Sequence, residues 1–157
     1  MDSGVRWPPP LIVLGGLVLG GLLDTAVLHW MDPPLWGTHL PVPARLPGLL
    51  PLLLGGGLAL WAVLRILLAG TPLLWFRLAE TLIRDGPFAW SRNPIYTGLL
   101  LAYTGLAILL GAWITLLLGV AVFRLLRDKV VRIEEQRLAA HFGAPYREYC
   151  QKVRRWL

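Results

Sequence analysis

The sequence predicts an all-α integral membrane protein of about four transmembrane helices. The last two form a tight hairpin, and a helical C-terminal region follows on the cytoplasmic side. Three observations carry this prediction. Hydrophobic residues make up 56% of the chain, mean hydropathy is +0.62, and charged residues are only 15%. An ordinary soluble domain carries about 25% charge, so this chain has too little polar surface to cover a soluble fold. Apolar runs cover 11–30, 49–68 and 95–123, and a bilayer core takes about 20 residues of helix. Finally, Lys and Arg gather between the second and third runs and beyond Arg124. By the positive-inside rule those segments and both termini are cytoplasmic, in the cytoplasmic (inner) membrane. The net charge of +6 then suits anionic headgroups rather than nucleic acid. The single cysteine, Cys150, excludes an internal disulfide, and the three histidines lack metal-ligand spacing. Residues 1–157 read as one membrane domain.

Trp7 and the prolines at 8–10 start the first span, 11–30, at the interface. Gly16 and Gly20 form a small-xxx-small pair for close helix approach. Asp24 lies within this span, where a carboxylate is by default a functional candidate and otherwise bonds Thr25 or a neighbouring helix. His29 reads as interfacial. Residues 31–47 hold five prolines and read as a loop. The second span, 49–68, carries Gly55-Gly56-Gly57 as a packing or kink point and Arg65 near its end. In the next connection, residues 79–83 fit a short helix or an extended segment, and Asp85-Gly86-Pro87 is a turn signal.

The charge-free run from Ile95 to Phe123 would extend about 43 Å as one helix, beyond a hydrocarbon core of about 30 Å. It must therefore turn, and Gly111-Ala112 is the place. Gly98, Ala102 and Gly105 share one face as its packing side. From Arg124 the last long helix leaves the membrane, with Asp128 and Arg132 as an i,i+4 pair. Phe142-Gly143 is a helix stop. Residues 145–156 read as a short basic, aromatic helix on the headgroups.

The central stretch is Gly86-Pro87-Phe88…Ser91-Arg92-Asn93-Pro94-Ile95-Tyr96-Thr97-Gly98. Beyond the apolar hairpin come Glu134-Glu135-Gln136-Arg137-Leu138, Phe142-Gly143-Ala144-Pro145-Tyr146-Arg147-Glu148-Tyr149 and Val153-Arg154-Arg155-Trp156-Leu157. In this order, over roughly 70–157, they resemble the isoprenylcysteine carboxyl methyltransferase and phospholipid methyltransferase superfamily of integral membrane methyltransferases. The first two spans carry no such signal.

The resemblance implies S-adenosylmethionine as cofactor, with S-adenosylhomocysteine as its product, and makes residues 70–157 the methyltransferase core. It implies that Glu80, Thr81, Leu82, Ile83, Phe88, Asn93, Pro94, Ile95 and Tyr96 line the cofactor. It places Glu134 on the cofactor's ammonium group, with Glu135 as the alternative, since neighbours on a helix point about 100° apart. Tyr96 and Arg127 are the candidates nearest the reaction, Arg127 because it lies seven residues before Glu134 on one helical face. Methyl transfer from a sulfonium is an in-line displacement that mainly needs alignment and exclusion of water. The expected acceptor is a lipophilic or membrane-embedded carboxylate, thiol or amine entering from the bilayer, with the cofactor entering from the cytoplasm. Prenylcysteine enzymes have an Arg one turn before the Glu pair, where this chain has Val130, so the acceptor stays open. The competing reading is a non-catalytic membrane scaffold or subunit pairing through its Gly-rich helices.

Overall fold

The computed structural model describes residues 8–30, 41–70 and 81–157. Within them every regular element is helical: α1 (Pro9–Trp30), α2 (Val42–Arg45), α3 (Leu49–Leu68), α4 (Pro94–Leu110), α5 (Trp113–Leu126), α6 (Arg132–Phe142) and α7 (Ala144–Lys152). Short 3-10 turns at Leu46–Gly48 and Gly86–Ala89 precede α3 and α4, and one turn of π-helix, Arg127–Val131, joins α5 to α6. Among the described residues, two helical runs are long and apolar enough to cross a membrane, Pro9–Val27 and Val42–Leu68. The second begins earlier than the sequence predicts. Its helical turns already contain Pro43 and Pro47, which sit among the first two residues of their turns, where proline's missing N–H is not needed. Leu14, Leu22, Leu53 and Leu60 are each more than half exposed. Such a surface suits lipid and not water.

Small residues decide how the helices pair. α3 runs along α4, α1 runs along α5, and α4 and α5 pack on each other. A methyl group added at Gly20 would come within 2.7 Å of the Thr115 backbone. One at Gly98 would come within 2.7 Å of the Ala59 nitrogen, and one at Gly105 within 2.6 Å of the Gly48 carbonyl. Gly16 lies against Val122 and Tyr103, and Gly55 against Gly98 and Ala102. Gly16, Gly20, Gly55, Gly98 and Gly105 are therefore spent on contacts inside this chain, whereas Gly15, Gly21, Gly56 and Gly57 meet open space, so the scaffold reading is not favoured.

α4 ends where Gly111 adopts φ +67°, a left-handed conformation that an L side chain resists. Ala112 bridges, and α5 starts at Trp113. At 1.5 Å per residue α4 is about 26 Å long and α5 about 21 Å. The N-terminus of α5 is capped from another helix. The Asp24 carboxylate accepts hydrogen bonds from the Ile114 and Thr115 amides, both 3.0 Å, and from the Thr115 hydroxyl at 2.7 Å. Of the two structural roles open to Asp24, the bond to a neighbouring helix is the one observed. Thr25 turns back to the carbonyls of Gly21 and Leu22 instead. From the α4 side, the buried Tyr103 hydroxyl donates to the Thr115 carbonyl at 2.6 Å. The core runs from these contacts through Val13 and Val122 to Leu126, Val130, Val131 and Tyr96.

Candidate functional site

The site forms where the turn before α4 meets α6 and the last residues of the chain. Residues 81–85 are not helical, and Asp85 is extended. Its carboxylate pairs with Arg65 of α3, which holds it below the usual carboxylate range. The Trp61 and Trp90 rings meet edge to face, 5.6 Å apart, on the same flank. Pro94 then opens α4, its φ preset and its absent N–H not missed. This entry angle aims Tyr96 inward, where it is buried.

The Tyr96 hydroxyl donates to Glu134 Oε2 at 2.8 Å. Burial pushes the Glu134 carboxyl above its ordinary range. The Tyr96 hydrogen bond opposes that, the Glu135 charge adds to it, and Arg137 pulls back. Among the described residues no cation lies within ion-pair distance of Glu134. Glu135 is in the opposite state. Arg155 binds both its oxygens, with Nε at 3.0 and 3.1 Å and Nη2 at 2.7 Å, and Arg92 stands 3.5 Å away. The two adjacent glutamates are thus committed differently, Glu135 to two arginines and Glu134 to a neutral phenol.

The final residues close this region. The Lys152 end of α7 is followed by extended backbone at Val153, so the last helix stops short of the predicted Trp156. The Arg92 amide donates to the Arg154 carbonyl at 2.9 Å. The Arg155 carbonyl accepts from Asn93 Nδ2 at 3.0 Å and from the Ser91 hydroxyl at 3.3 Å. The Ser91 Oγ in turn accepts the Asn93 amide at 3.1 Å. Trp156 packs on Phe123 of α5, with ring centres 5.2 Å apart. The Tyr149 hydroxyl donates to the Phe88 carbonyl at 2.7 Å, and burial, opposed by the nearby Arg92 charge, pushes that phenol up to about 12. Arg92 Nη1 reaches Cys150 Sγ at 2.6 Å. Its Nε is buried without a hydrogen-bond partner among the described residues.

The residues expected to line a cofactor do not all converge. Tyr96 and Glu134 are in direct contact, and Asn93 and Glu135 are both tied to Arg155. Pro94 is buried, Ile95, Leu82, Ile83 and Phe88 are half-buried, and Thr81 is exposed. Glu80 and the side chain of His29 lie outside the described residues. Arg127 turns to Asp128, at 2.9 and 3.0 Å, and its guanidinium lies over Phe123. The π turn begins at Arg127, so the regular helical spacing to Glu134 does not carry through; a π turn spends an extra residue and rotates the helix beyond it. Asp128 also receives Arg132 at 3.2 Å, the expected i,i+4 pair. The sequence reading gave no role to Arg92, Ser91 or Arg155. The only signal for them was their presence in the turn motif and at the chain's close.

Between α4 and α5 an open groove of about 290 Å³ is lined by Leu100, Tyr103, Thr104, Leu116, Val120 and Phe123. It is mostly apolar and reaches the Phe123–Trp156 contact.

The site thus sets the half-buried Glu134 carboxylate beside the buried Tyr96 of a proline-opened helix, in a bundle whose leucines are widely exposed. The sequence matches the phospholipid methyltransferase family over residues 44–145, and the chain belongs to that family, within the isoprenylcysteine carboxyl methyltransferase-like group. No curated protein and no solved structure matches the chain at a significant level. The matched region takes in α3, the helix packed along α4 that carries the Arg65 partner of Asp85. The family generally uses S-adenosylmethionine.

Proposed function

We propose that this protein is an S-adenosylmethionine-dependent methyltransferase acting on a lipophilic acceptor held in the membrane. The observation that carries the reading is the Glu134–Tyr96 pair beside a Glu135 already neutralised by arginine. A carboxylate desolvated next to a neutral phenol is costly unless a cation joins it. The ammonium group of the cofactor is such a cation. Arg92 Nε, a buried donor without an acceptor among the described residues, suits the carboxylate of the same zwitterion. The donor set therefore fits the cofactor. Asn93, Pro94, Ile95, Phe88 and residues 81–83 form the remaining wall of this reading.

When bound, the cofactor supplies an already activated methyl group. What this chain supplies is alignment and exclusion of water: Glu134 orients the zwitterionic end, Tyr96 holds the Glu134 carboxylate, and α4 and α5 present the acceptor along their apolar groove. Arg127, at the foot of α5, is the cation nearest a polar acceptor head in this reading. A carboxylate or thiolate acceptor needs no base, whereas an amine must lose a proton. The cofactor enters from the cytoplasm, with both termini on that side of the inner membrane, and the acceptor enters from the bilayer. The test is transfer of a labelled methyl group from S-adenosylmethionine to a membrane lipid extract, with identification of the labelled product. Transfer that Glu134→Ala abolishes supports the reading; an absence of labelled product with intact protein contradicts it.

A further inference from the structure

The chain's last residues lie beyond the matched region of 44–145, yet they touch every element of the site. One residue does two jobs there. The Arg155 guanidinium grips both oxygens of Glu135 on α6, and the Arg155 carbonyl receives Asn93 and Ser91 from the turn that opens α4. On either side of it, the Arg154 carbonyl takes the Arg92 amide and Trp156 seats on Phe123. Glu135 is mostly buried, at 12% side-chain exposure, and a planar bidentate arginine fixes a carboxylate in orientation as well as in charge. Successive residues on a helix point about 100° apart, so holding Glu135 sets the direction of Glu134.

We infer that Arg155 is a positioning residue of the cofactor site: it clamps α6 to the Ser91–Asn93 turn and thereby turns Glu134, rather than Glu135, toward Tyr96 and the cofactor's ammonium group. This rests on the cofactor reading above. The clamp itself is independent of that reading, because it consists of contacts present without any ligand. Without the guanidinium, Glu135 keeps only Arg92, the more distant of its two arginines, and α6 loses its bidentate tie to the end of the chain. Lysine at the same place keeps the charge but not the fork, so it restores part of the hold.

The experiment uses the full chain in detergent or nanodiscs and measures S-adenosylhomocysteine affinity, thermal midpoint and amide exchange for wild type, Arg155→Ala, Arg155→Lys and Arg154→Ala. Arg154 is exposed and offers the site only its carbonyl, so its side chain is the matched control for charge. Arg155→Ala is expected to weaken affinity at least tenfold and to speed exchange at the Arg92 amide. Arg155→Lys should recover to within about threefold of wild type, and Arg154→Ala should match wild type. If Arg155→Ala lowers only the thermal midpoint and the folded protein binds as wild type does, the residue is a brace and the inference is overturned. It is also overturned if Arg154→Ala weakens binding as much as Arg155→Ala. Wild-type protein with a protected Arg92 amide that binds no S-adenosylhomocysteine overturns the cofactor reading and the positioning role together. Wild-type binding unaltered in Arg155→Ala overturns the positioning role alone.

Discussion

Replacing Asp24 by alanine removes the cap of α5 and the polar tie between α1 and α5. The carboxylate accepts three hydrogen bonds, at 3.0, 3.0 and 2.7 Å, two of them from the first amides of α5. The N-cap residue of α5 itself, Ala112, has no polar side chain to replace it. Hydrogen bonds inside membrane proteins average about 0.6 kcal/mol, which sets a lower figure of about 2 kcal/mol for three. Loss of an N-cap costs about 0.5–2 kcal/mol, and leaving buried donors unsatisfied adds about 1–3 kcal/mol, so the upper figure is about 5 kcal/mol. Asp24→Asn keeps one acceptor oxygen and should lose about half as much as alanine. The assay is reversible unfolding in mixed micelles, with circular dichroism and Trp fluorescence as coincident probes. The α5 N-terminus lies about 21 Å along the helix from its other end, where the route to Glu134 begins. Cofactor affinity of the folded fraction should therefore stay within about threefold of wild type. An Asp24→Ala protein as stable as wild type within about 0.5 kcal/mol would refute the capping role, and one that folds normally but loses methyl transfer would make Asp24 part of the chemistry.

Other expectations rest on the same geometry. Gly105→Val should destabilise by more than about 2 kcal/mol in the same unfolding assay, because its new atoms meet the Gly48 carbonyl and Leu52 backbone rather than a yielding side chain. Tyr103→Phe should cost about 0.5–1.5 kcal/mol, the worth of its bond to the Thr115 carbonyl. Val120→Trp, at an exposed edge of the α4–α5 groove, should raise KM for the lipophilic acceptor several-fold while leaving S-adenosylhomocysteine affinity unchanged; an unchanged acceptor KM removes the groove from the acceptor path. The pH dependence has a definite sign. The folded-state value of Glu134 is raised above that of an ordinary glutamate, so its protonated form stabilises the ligand-free protein at low pH, and this contribution is lost as pH rises through the raised value. Ligand-free Glu134→Gln should therefore gain midpoint over wild type as pH rises, whereas wild-type cofactor affinity should fall as pH drops and Glu134 takes a proton.

Much of this architecture is legible in the chain. The Gly111-Ala112 turn is forced by an apolar run too long for one crossing, and Gly111 takes the left-handed conformation that ends α4. The small-residue faces of Gly16, Gly20, Gly98 and Gly105 are found in close contacts, and Phe142-Gly143 ends α6 with Gly143 at φ +62°. The site is legible as motifs and not as a division of labour. Glu134 and Glu135 are neighbours in one motif, and it is tertiary contact that separates them: Arg155 and Arg92 on Glu135, and the Tyr96 hydroxyl on Glu134. Asp24 is an isolated acid in sequence because its partners lie some ninety residues away, at Ile114 and Thr115. Arg127 and Glu134 share a face only in a regular helix, and the π turn between them breaks that regularity without any proline or glycine to announce it. The prolines at 43 and 47 read as helix breakers, yet each falls where a helical turn needs no donor. These are effects of tertiary contact or of backbone placement within one turn, and neither leaves a periodic trace.

The central claim is that Glu134 is the carboxylate that meets the cofactor's cationic end. The direct measurement is calorimetric binding of S-adenosylhomocysteine to purified wild type, Glu134→Gln and Tyr96→Phe at neutral pH. Removing one partner of a desolvated charge pair costs about 2–5 kcal/mol, so Glu134→Gln should lose at least about 30-fold in affinity. Tyr96→Phe, which takes away one hydrogen bond to that carboxylate, should lose about 3- to 10-fold. Glu134→Gln protein that is folded and binds as wild type does would contradict the account.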